Sequence, residues 1–133
     1  MRRPAPLPPE LARDPFTVNA ATTAGVGRQR LRAADLSTPF HGVRTSGSPG
    51  TPLELAQAYA VRMPERQFFS HVTAAQLWDF PMRPTLESRP QLDVSVVAPA
   101  HVPQVRGVTG HRLSSATGVV VRREVRVVAP ATA

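Results

Sequence analysis

Four polar residues that lie close together in the chain are the first candidates for chemistry: Arg28, Gln29, Arg30 and Arg32. Arg and Gln side chains donate hydrogen bonds to phosphate oxygens, and both also pair with base edges in the major groove of DNA. Arg28 and Arg32 are four residues apart, so on a helix they lie one turn apart on one face. The segment therefore predicts a DNA-contacting helix, with Arg28, Gln29 and Arg32 in the major groove and with Arg30 and Arg44 on phosphates.

The residues before that helix predict a helix-turn-helix. Thr17 is placed to cap a first helix over residues 17–24, because its hydroxyl oxygen can accept a bond from a free backbone N–H. Gly25 follows, where a helix ends in a turn that favours a residue without Cβ. A second helix is predicted over residues 28–36, with the apolar Leu31 facing back toward the first. The alternative is an ordinary helical hairpin whose Arg side chains are only solvated.

The segments on either side complete a module that resembles a winged helix in element order. Residues 40–45 (FHGVRT) alternate and predict a strand after Pro39, as a winged variant requires. The Gly- and Ser-rich residues 46–50 predict a linker. Prolines interrupt residues 1–10, which predicts a flexible arm. We therefore expect an arm over 1–10, a winged-helix-like DNA-binding module over 11–46, and a separate region over 51–133.

The second region is predicted to place helices before strands. Thr51, Pro52 and Glu54 form a capping box with Pro at the first helical position, which predicts a helix over 51–63. A second helix is expected from a cap at Ser70 or Thr73 to about residue 78, before a loop over residues 82–90. Strands are predicted over residues 92–97, 105–113 and 119–128, the last as one long strand or two short ones. The expected fold class is α+β, with a small, mostly antiparallel sheet.

The composition describes a basic chain large enough for one domain or two very small ones. Of its 133 residues, 41% are hydrophobic, and the formal net charge is +7. All sixteen basic residues are arginine, and this charge favours phosphate-rich partners. The absence of Cys excludes disulfides and thiolate chemistry, and no apolar run reaches the roughly 18 residues that cross a bilayer. The N-terminus lacks the apolar stretch of a secretory signal, so we expect a cytoplasmic protein without a membrane partner.

The residue types of common catalytic and metal sites do not form recognisable spacings. None of the four histidines has a second ligand three or four residues away, and the acidic residues stand isolated. Ser70 and His71 are adjacent, but adjacency does not make a catalytic triad. Trp78 and the pair Phe68–Phe69 have apolar neighbours, which favours core packing over base stacking. We therefore expect no catalytic residue, no metal and no cofactor. The residues considered are His41, His71, His101 and His111, with Asp14, Asp35, Glu54, Asp79, Glu87, Asp93 and Glu124.

A series of short motifs runs along residues 11–131 in a characteristic order. They are FT at 16–17, Ala21, GV at 25–26 with Arg28 and RLR at 30–32, FHGVR at 40–44, AYA at 58–60, FSHVTAAQLW at 69–78 with Pro81, LDVSV at 92–96, RGV at 106–108, GHR at 110–112 and RVVAPA at 126–131. In this order they resemble the N-terminal and middle parts of AbiEi-type antitoxins, the antitoxins of type IV toxin–antitoxin systems, and their relatives.

The resemblance implies a non-catalytic module that binds DNA through a winged helix and regulates transcription, with a toxin as partner. In some relatives a nuclease-like domain follows, which here would lie beyond residue 133, so no nuclease activity is implied. The alternative is an N-terminal interaction module or fragment of a larger nuclease-like protein, with no activity of its own. Relatives tend to have Gly near Arg123 and Glu124, so the turn here is expected to be costly. An unpaired terminal strand would also allow a homo-oligomer.

Overall fold

The structure, a computed structural model, describes residues 4–87, 91–115 and 118–130 and confirms the α+β class. Residues 1–3 of the predicted arm, 88–90 of the predicted loop and 131–133 of the last region lie outside the described residues. The elements in chain order are α1 (Pro9–Ala12), β1 (Phe16–Thr17), α2 (Val18–Thr23), α3 (Arg28–Leu31), β2 (Val43–Arg44), α4 (Pro52–Ala60), β3 (Phe68–Phe69), α5 (His71–Leu77), α6 (Pro84–Glu87), β4 (Leu92–Val97), β5 (Val108–Leu113), β6 (Val119–Arg122) and β7 (Val125–Val128).

The N-terminal segment places two short helices between the strands of a small antiparallel ribbon. β1 pairs with β2 in the register Phe16↔Arg44 and Thr17↔Val43. The predicted strand over 40–45 is therefore shorter, and it continues only as an isolated bridge between Ser37 and Thr45. Thr17, which caps α2, pairs with Val43 in β2, the strand that follows α3. The chain segments before and after the helix pair are therefore joined by the ribbon.

The helix α4 confirms the predicted cap at Thr51, but the Glu54 carboxylate bonds to the Thr51 hydroxyl rather than to its backbone N–H, as a full capping box would require. The Thr51 hydroxyl accepts a bond from the Glu54 backbone N–H at 3.1 Å, and it also lies 3.1 Å from the Glu54 carboxylate. The helix ends at Ala60, three residues before the predicted end, because Arg62 and Met63 bond to carbonyls three residues back and tighten the chain into a turn.

The main sheet has five strands in the order β5-β4-β3-β7-β6. It is mixed rather than mostly antiparallel: β3 pairs antiparallel with β4 but parallel with β7, β4 and β5 are parallel, and β6 and β7 are antiparallel. The sequence predicted a small, mostly antiparallel sheet, so the two parallel pairs correct that expectation. The β4–β5 pair follows from a crossover, because the connector over residues 98–107 returns the chain to start β5 in the direction of β4. The β3–β7 pair joins strands that are separated in the chain by α5, α6 and three other strands.

Residues 119–128 form two strands, which settles the alternative left open by the sequence. The two turn residues, Arg123 and Glu124, have φ of +51° and +71°. A two-residue hairpin turn with both φ positive is the type I′ turn, which matches the twist of the strands but strains residues other than Gly and Asn. The expected cost of this turn is therefore seen in its backbone.

The buried side chains form two clusters. The smaller one holds Leu11, Phe16, Ala21 and Leu31, around the helix pair. The larger one lies between α4, α5 and the main sheet, and it confirms Phe68 and Phe69 as core residues. It also takes in Phe40 and Val43 from the N-terminal segment, so that segment packs directly on the main core. The buried members of the larger cluster are Phe40, Val43, Ala56, Ala58, Tyr59, Met63, Phe68, Phe69, Ala74, Leu77, Leu92, Val94, Val125, Val127 and Val128.

Two further predictions on the chain are corrected or completed. The loop expected over residues 82–90 contains the short helix α6, which begins at Pro84, where a fixed φ and a missing N–H suit the first helical position. The cap of α5 is Ser70, but its hydroxyl is not bonded to a backbone N–H of the helix. Among the described residues, no helix is both long enough and apolar enough to span a membrane.

Candidate functional site

The helix α3 is held in place by its one buried residue and by a tight entry turn. Leu31 is buried among Leu11, Phe16 and Ala21. The Thr17 hydroxyl accepts the Ala20 N–H at 3.1 Å and starts α2, as predicted. Gly25 then adopts φ +91°, and the Val26 N–H donates to the Ala21 carbonyl at 2.9 Å to close the turn. Leu31 therefore faces inward, while Arg28 and Gln29 of the same helix are exposed.

The helix α3 is one turn long, not the nine residues predicted. It ends at Leu31, and the next N–H groups, of Arg32 and Ala33, bond to carbonyls three residues back at 3.2 Å. This tighter winding turns the chain early, so that Ser37 can pair with Thr45. Arg32 is thus the residue that caps the helix rather than part of its second turn.

Three of the five predicted contact residues are exposed and together. Arg28, Gln29 and Arg32 are exposed, and none of them makes a side-chain hydrogen bond or ion pair within the described part of the chain. Arg28 and Arg32 stand at the two ends of the single turn, with Gln29 beside Arg28. These three side chains, here called the α3 surface, retain their donors and two positive charges for an outside partner.

Arg30 is held by groups of the protein itself. It forms two parallel hydrogen bonds of 2.9 Å to the Asp35 carboxylate, and its Nε donates to the Ala5 carbonyl. The hydrogen bond from Arg30, with a smaller contribution from its charge, lowers the pKa of the Asp35 carboxyl below its usual value. The side chain of Arg30 is only 14% exposed. Arg30 therefore links α3 to the turn that follows it, through Asp35, and to the segment before α1, through Ala5.

Arg44 is also used internally, but without a carboxylate. Its Nε donates to the Leu31 carbonyl at 2.9 Å, and its Nη1 donates to the Val43 carbonyl at 3.1 Å. The first bond satisfies a carbonyl at the end of α3 that has no partner within the helix. Arg44 therefore fixes α3 to the ribbon, and its positive charge is not neutralised by these neutral acceptors.

A second group of polar residues meets where β3 enters α5. Ser70 and His71 come from this junction, Asp93 and Ser95 from β4, and His111 from β5; this set is called the His71 cluster. The Ser70 and Ser95 hydroxyls are hydrogen-bonded, and His71 Nδ1 lies 2.9 Å from Ser70 Oγ. His111 Nε2 lies 3.0 Å from the buried Asp93 carboxylate. The two imidazole rings stack with centroids 3.9 Å apart, which joins the two hydrogen-bonded groups.

His71 is the strained member of the cluster. Its φ is +53°, a conformation that a non-glycine residue adopts only at a cost. Partial burial, followed by the charge of His111, lowers the pKa of His71, while Asp93 acts in the opposite direction. The ring is thus kept neutral in the folded protein over a wider pH range than a free imidazole.

The chemistry open to this cluster is limited by burial. Ser70 is 2% exposed and its hydroxyl is shared with Ser95, so it cannot reach a substrate as a nucleophile. In the part of the chain that the structure describes, no three His, Asp or Glu side chains form a group that could hold a metal ion. The cluster therefore has the character of a hydrogen-bond network that fixes the strand–helix junction, with Ser70, Asp93 and Ser95 buried and the two histidines on its outer side.

The sequence did not reveal this cluster. Asp93 and His111 were each interpreted without a partner, and so were Asp35 and Asp79, yet Asp35 pairs with Arg30, and Asp79 pairs with Arg122 at 3.3 Å and with Arg123 at 2.6 Å. The alternation of LDVSV did indicate that Asp93 and Ser95 share a face of β4. What was missing was the parallel pairing of β4 with β5, which places His111 opposite Ser95.

Comparison with known proteins returned no relative. No protein-family model, no curated protein and no solved structure matches this chain.

Proposed function

We propose that this chain is a non-catalytic, DNA-binding regulatory module of the antitoxin type, with a winged-helix-like N-terminal segment. The observation that carries the proposal is the α3 surface: Arg28, Gln29 and Arg32 are exposed side by side, and no carboxylate among the described residues pairs with them. Arg and Gln are the side chains that most often read base edges, and an unpaired Arg adds attraction to phosphates.

The internal bonds of Arg30 and Arg44 support a revised division of roles. Each Arg fixes α3 from one side, through Asp35 and through the Leu31 carbonyl respectively. A preorganised helix loses less entropy when it binds, so these two residues would act on DNA affinity by holding the helix. In this proposal Arg28, Gln29 and Arg32 contact DNA directly, and Arg30 and Arg44 position them.

The proposal is tested by binding of the full chain to DNA taken from upstream of its own gene, measured over a series of salt concentrations. Binding should weaken linearly in log K against log salt, because each neutralised phosphate releases counterions. The double variant Arg28→Ala, Arg32→Ala should bind about tenfold or more weakly, since each lost Arg contact is worth about 1–3 kcal/mol.

A matched control removes the same charge elsewhere. Arg66 and Arg83 are exposed, without ion pairs in the described part of the chain, and lie outside the N-terminal segment. The variant Arg66→Ala, Arg83→Ala should bind nearly as well as the unchanged protein. No binding at low salt, or equal losses in the two double variants, would refute DNA binding by the α3 surface.

A second candidate function, an interaction module that pairs through a strand edge, is favoured by β6. The last strand, β7, is not the unpaired edge expected from the sequence, because it lies between β3 and β6. Strand β6 is at the edge of the main sheet, and Val119, Val120 and Val121 are 38%, 37% and 71% exposed. An exposed apolar edge is a template for another strand, from a second copy or a partner such as a toxin. Light scattering over a range of concentrations tests self-association, and Val121→Lys should reduce it.

A further inference from the structure

Two adjoining cavities lie between the N-terminal segment that carries the β1–β2 ribbon and residues 62 and 104–107. The first, of about 650 Å³, reaches Gln104 and Arg106 on the connector that leads to β5. The second, of about 550 Å³, reaches Asn19 at the start of α2 and Arg44 in β2. Both are lined by Thr38, His41 and Arg62, so they form one surface depression, here called the Arg62 groove.

The charges in the Arg62 groove are all positive. Three Arg side chains line it, and none of the described residues that line either cavity is acidic. Arg62 Nη1 donates to the His41 carbonyl at 2.9 Å, and Arg44 donates only to carbonyls. Arg106 is exposed and makes no side-chain bond within the described ranges. Neutral acceptors position these groups but leave their charge uncompensated.

In the described part of the chain, three arginines outside the groove are paired with carboxylates, although Arg112 and Arg126 bond only to carbonyls. Arg30 is neutralised by Asp35, and Arg122 and Arg123 both pair with Asp79. In the Arg62 groove, by contrast, no Arg side chain pairs with a carboxylate of the described residues. Arg62 is also preorganised, because its guanidinium lies 5.8 Å from the centroid of the buried Tyr59 ring as well as bonding to the His41 carbonyl.

The groove begins at the end of α3. Arg44, which lines its second cavity, donates to the carbonyl of Leu31, the last residue of α3. A ligand that follows the groove from Arg44 past Arg62 to Arg106 would therefore start beside the α3 surface. Each cavity has the size of a site for a small ligand or for a short stretch of a polymer backbone.

We propose that the Arg62 groove is a binding site for phosphate groups. The guanidinium ion matches two phosphate oxygens at once, and clustered Arg without acidic neighbours is the typical surroundings of bound phosphate. Two sources share this chemistry: the backbone of the DNA that contacts α3, and a free polyphosphate such as that of a nucleotide. The first source rests on the proposed function, and the second does not.

The test compares the full chain with the variant Arg62→Gln, Arg106→Gln, using two probes: the upstream DNA duplex and inorganic tripolyphosphate. For DNA, loss of two phosphate contacts should reduce the slope of log K against log salt by about 1.8 and lower affinity at low salt about tenfold. For tripolyphosphate, titration calorimetry at low salt should show at least a tenfold loss of affinity. The matched control is Arg66→Gln, Arg83→Gln, which removes the same charge outside the groove.

The pattern of losses identifies the source and separates the two proposals. Tripolyphosphate binding that survives Arg28→Ala, Arg32→Ala but is lost in the groove variant supports a free polyphosphate site, even if no DNA binds. A change with the DNA probe alone supports the backbone as the source. Groove and control variants that behave alike with both probes overturn the proposal. Arg106→Gln alone, at a residue without internal bonds, keeps the test valid if the Arg62 change affects folding.

Discussion

At the scale of single residues, arginine has two distinct uses in this protein. Where a carboxylate is within reach, as for Arg30 with Asp35, the side chain is part of the scaffold. Where only carbonyls are within reach, as for Arg62 and Arg44, the side chain is positioned but its charge is not neutralised, and Arg28 is exposed without a partner in the described part of the chain. From the sequence alone, Arg28 and Arg30 are both predicted to contact DNA. Helical spacing does not show that Asp35, in the turn after α3, pairs with Arg30.

The lowered pKa of His71 predicts how this residue affects stability with pH. The folded state favours neutral His71. At pH values above the usual histidine pKa of 6.5, this preference therefore does not lower the free energy of unfolding. As the pH falls below that value, the unfolded chain takes up the proton first, and stability decreases. His71→Asn should therefore show a smaller fall in Tm between about pH 7 and pH 5 than the unchanged protein.

The control for this prediction is His101→Asn, because His101 is exposed on a connector outside the cluster. That variant should keep the full decrease in Tm. A decrease of equal size in the two variants would mean that protonation of His71 does not account for the loss of stability at low pH.

At the scale of elements, local signals were sufficient wherever a residue acts on its neighbours in sequence. The caps at Thr17 and Thr51 and the turn at Gly25 were predicted and confirmed, since each is one hydrogen bond or one backbone angle within a few residues. The end of α3 was predicted wrongly because it depends on Thr45, a partner beyond the reach of any helical period. The His71 cluster was missed for the same reason. The domain boundaries remain predictions.

The β6–β7 turn offers a way to measure strain in one element. Glu124 has φ +71°, so Glu124→Gly should raise the free energy of unfolding by about 1 kcal/mol, because Gly has no Cβ to strain in this conformation. Denaturant unfolding measures the change. Glu124→Ala keeps a Cβ and should give no gain; if Ala and Gly stabilise equally, the turn is not strained at this position.

At the scale of the whole molecule, the larger core joins the N-terminal segment to the main sheet. Phe69 is fully buried at the centre of that sheet, and Phe40 and Val43 belong to the same cluster. Phe69→Ala should lower the free energy of unfolding by about 3–5 kcal/mol. Fluorescence of Trp78, the single Trp of the chain, reports unfolding of the main domain, because its ring packs against this core.

Hydrogen exchange of the backbone amides in residues 17–43 is a second measurement on the Phe69→Ala variant. If the two parts form one cooperative unit, protection there should fall in parallel with the fluorescence transition. Val121→Ala, at a side chain 71% exposed, should change stability by less than about 0.5 kcal/mol. Unchanged protection of residues 17–43 in the Phe69→Ala protein would show that the N-terminal segment folds on its own.

The parallel pairing of β3 with β7 also sets an order of events on the ribosome. β3 is only two residues long, Phe69 is opposite Val127, and the strand at its other side, β4, is made much earlier than β7. Synthesis proceeds from the N-terminus, so one flank of this phenylalanine strand stays open until β7 has emerged. The larger core, to which Phe40, Val43 and Val127 belong, therefore closes only after β7 has been made, long after the arginines of α3 have left the ribosome.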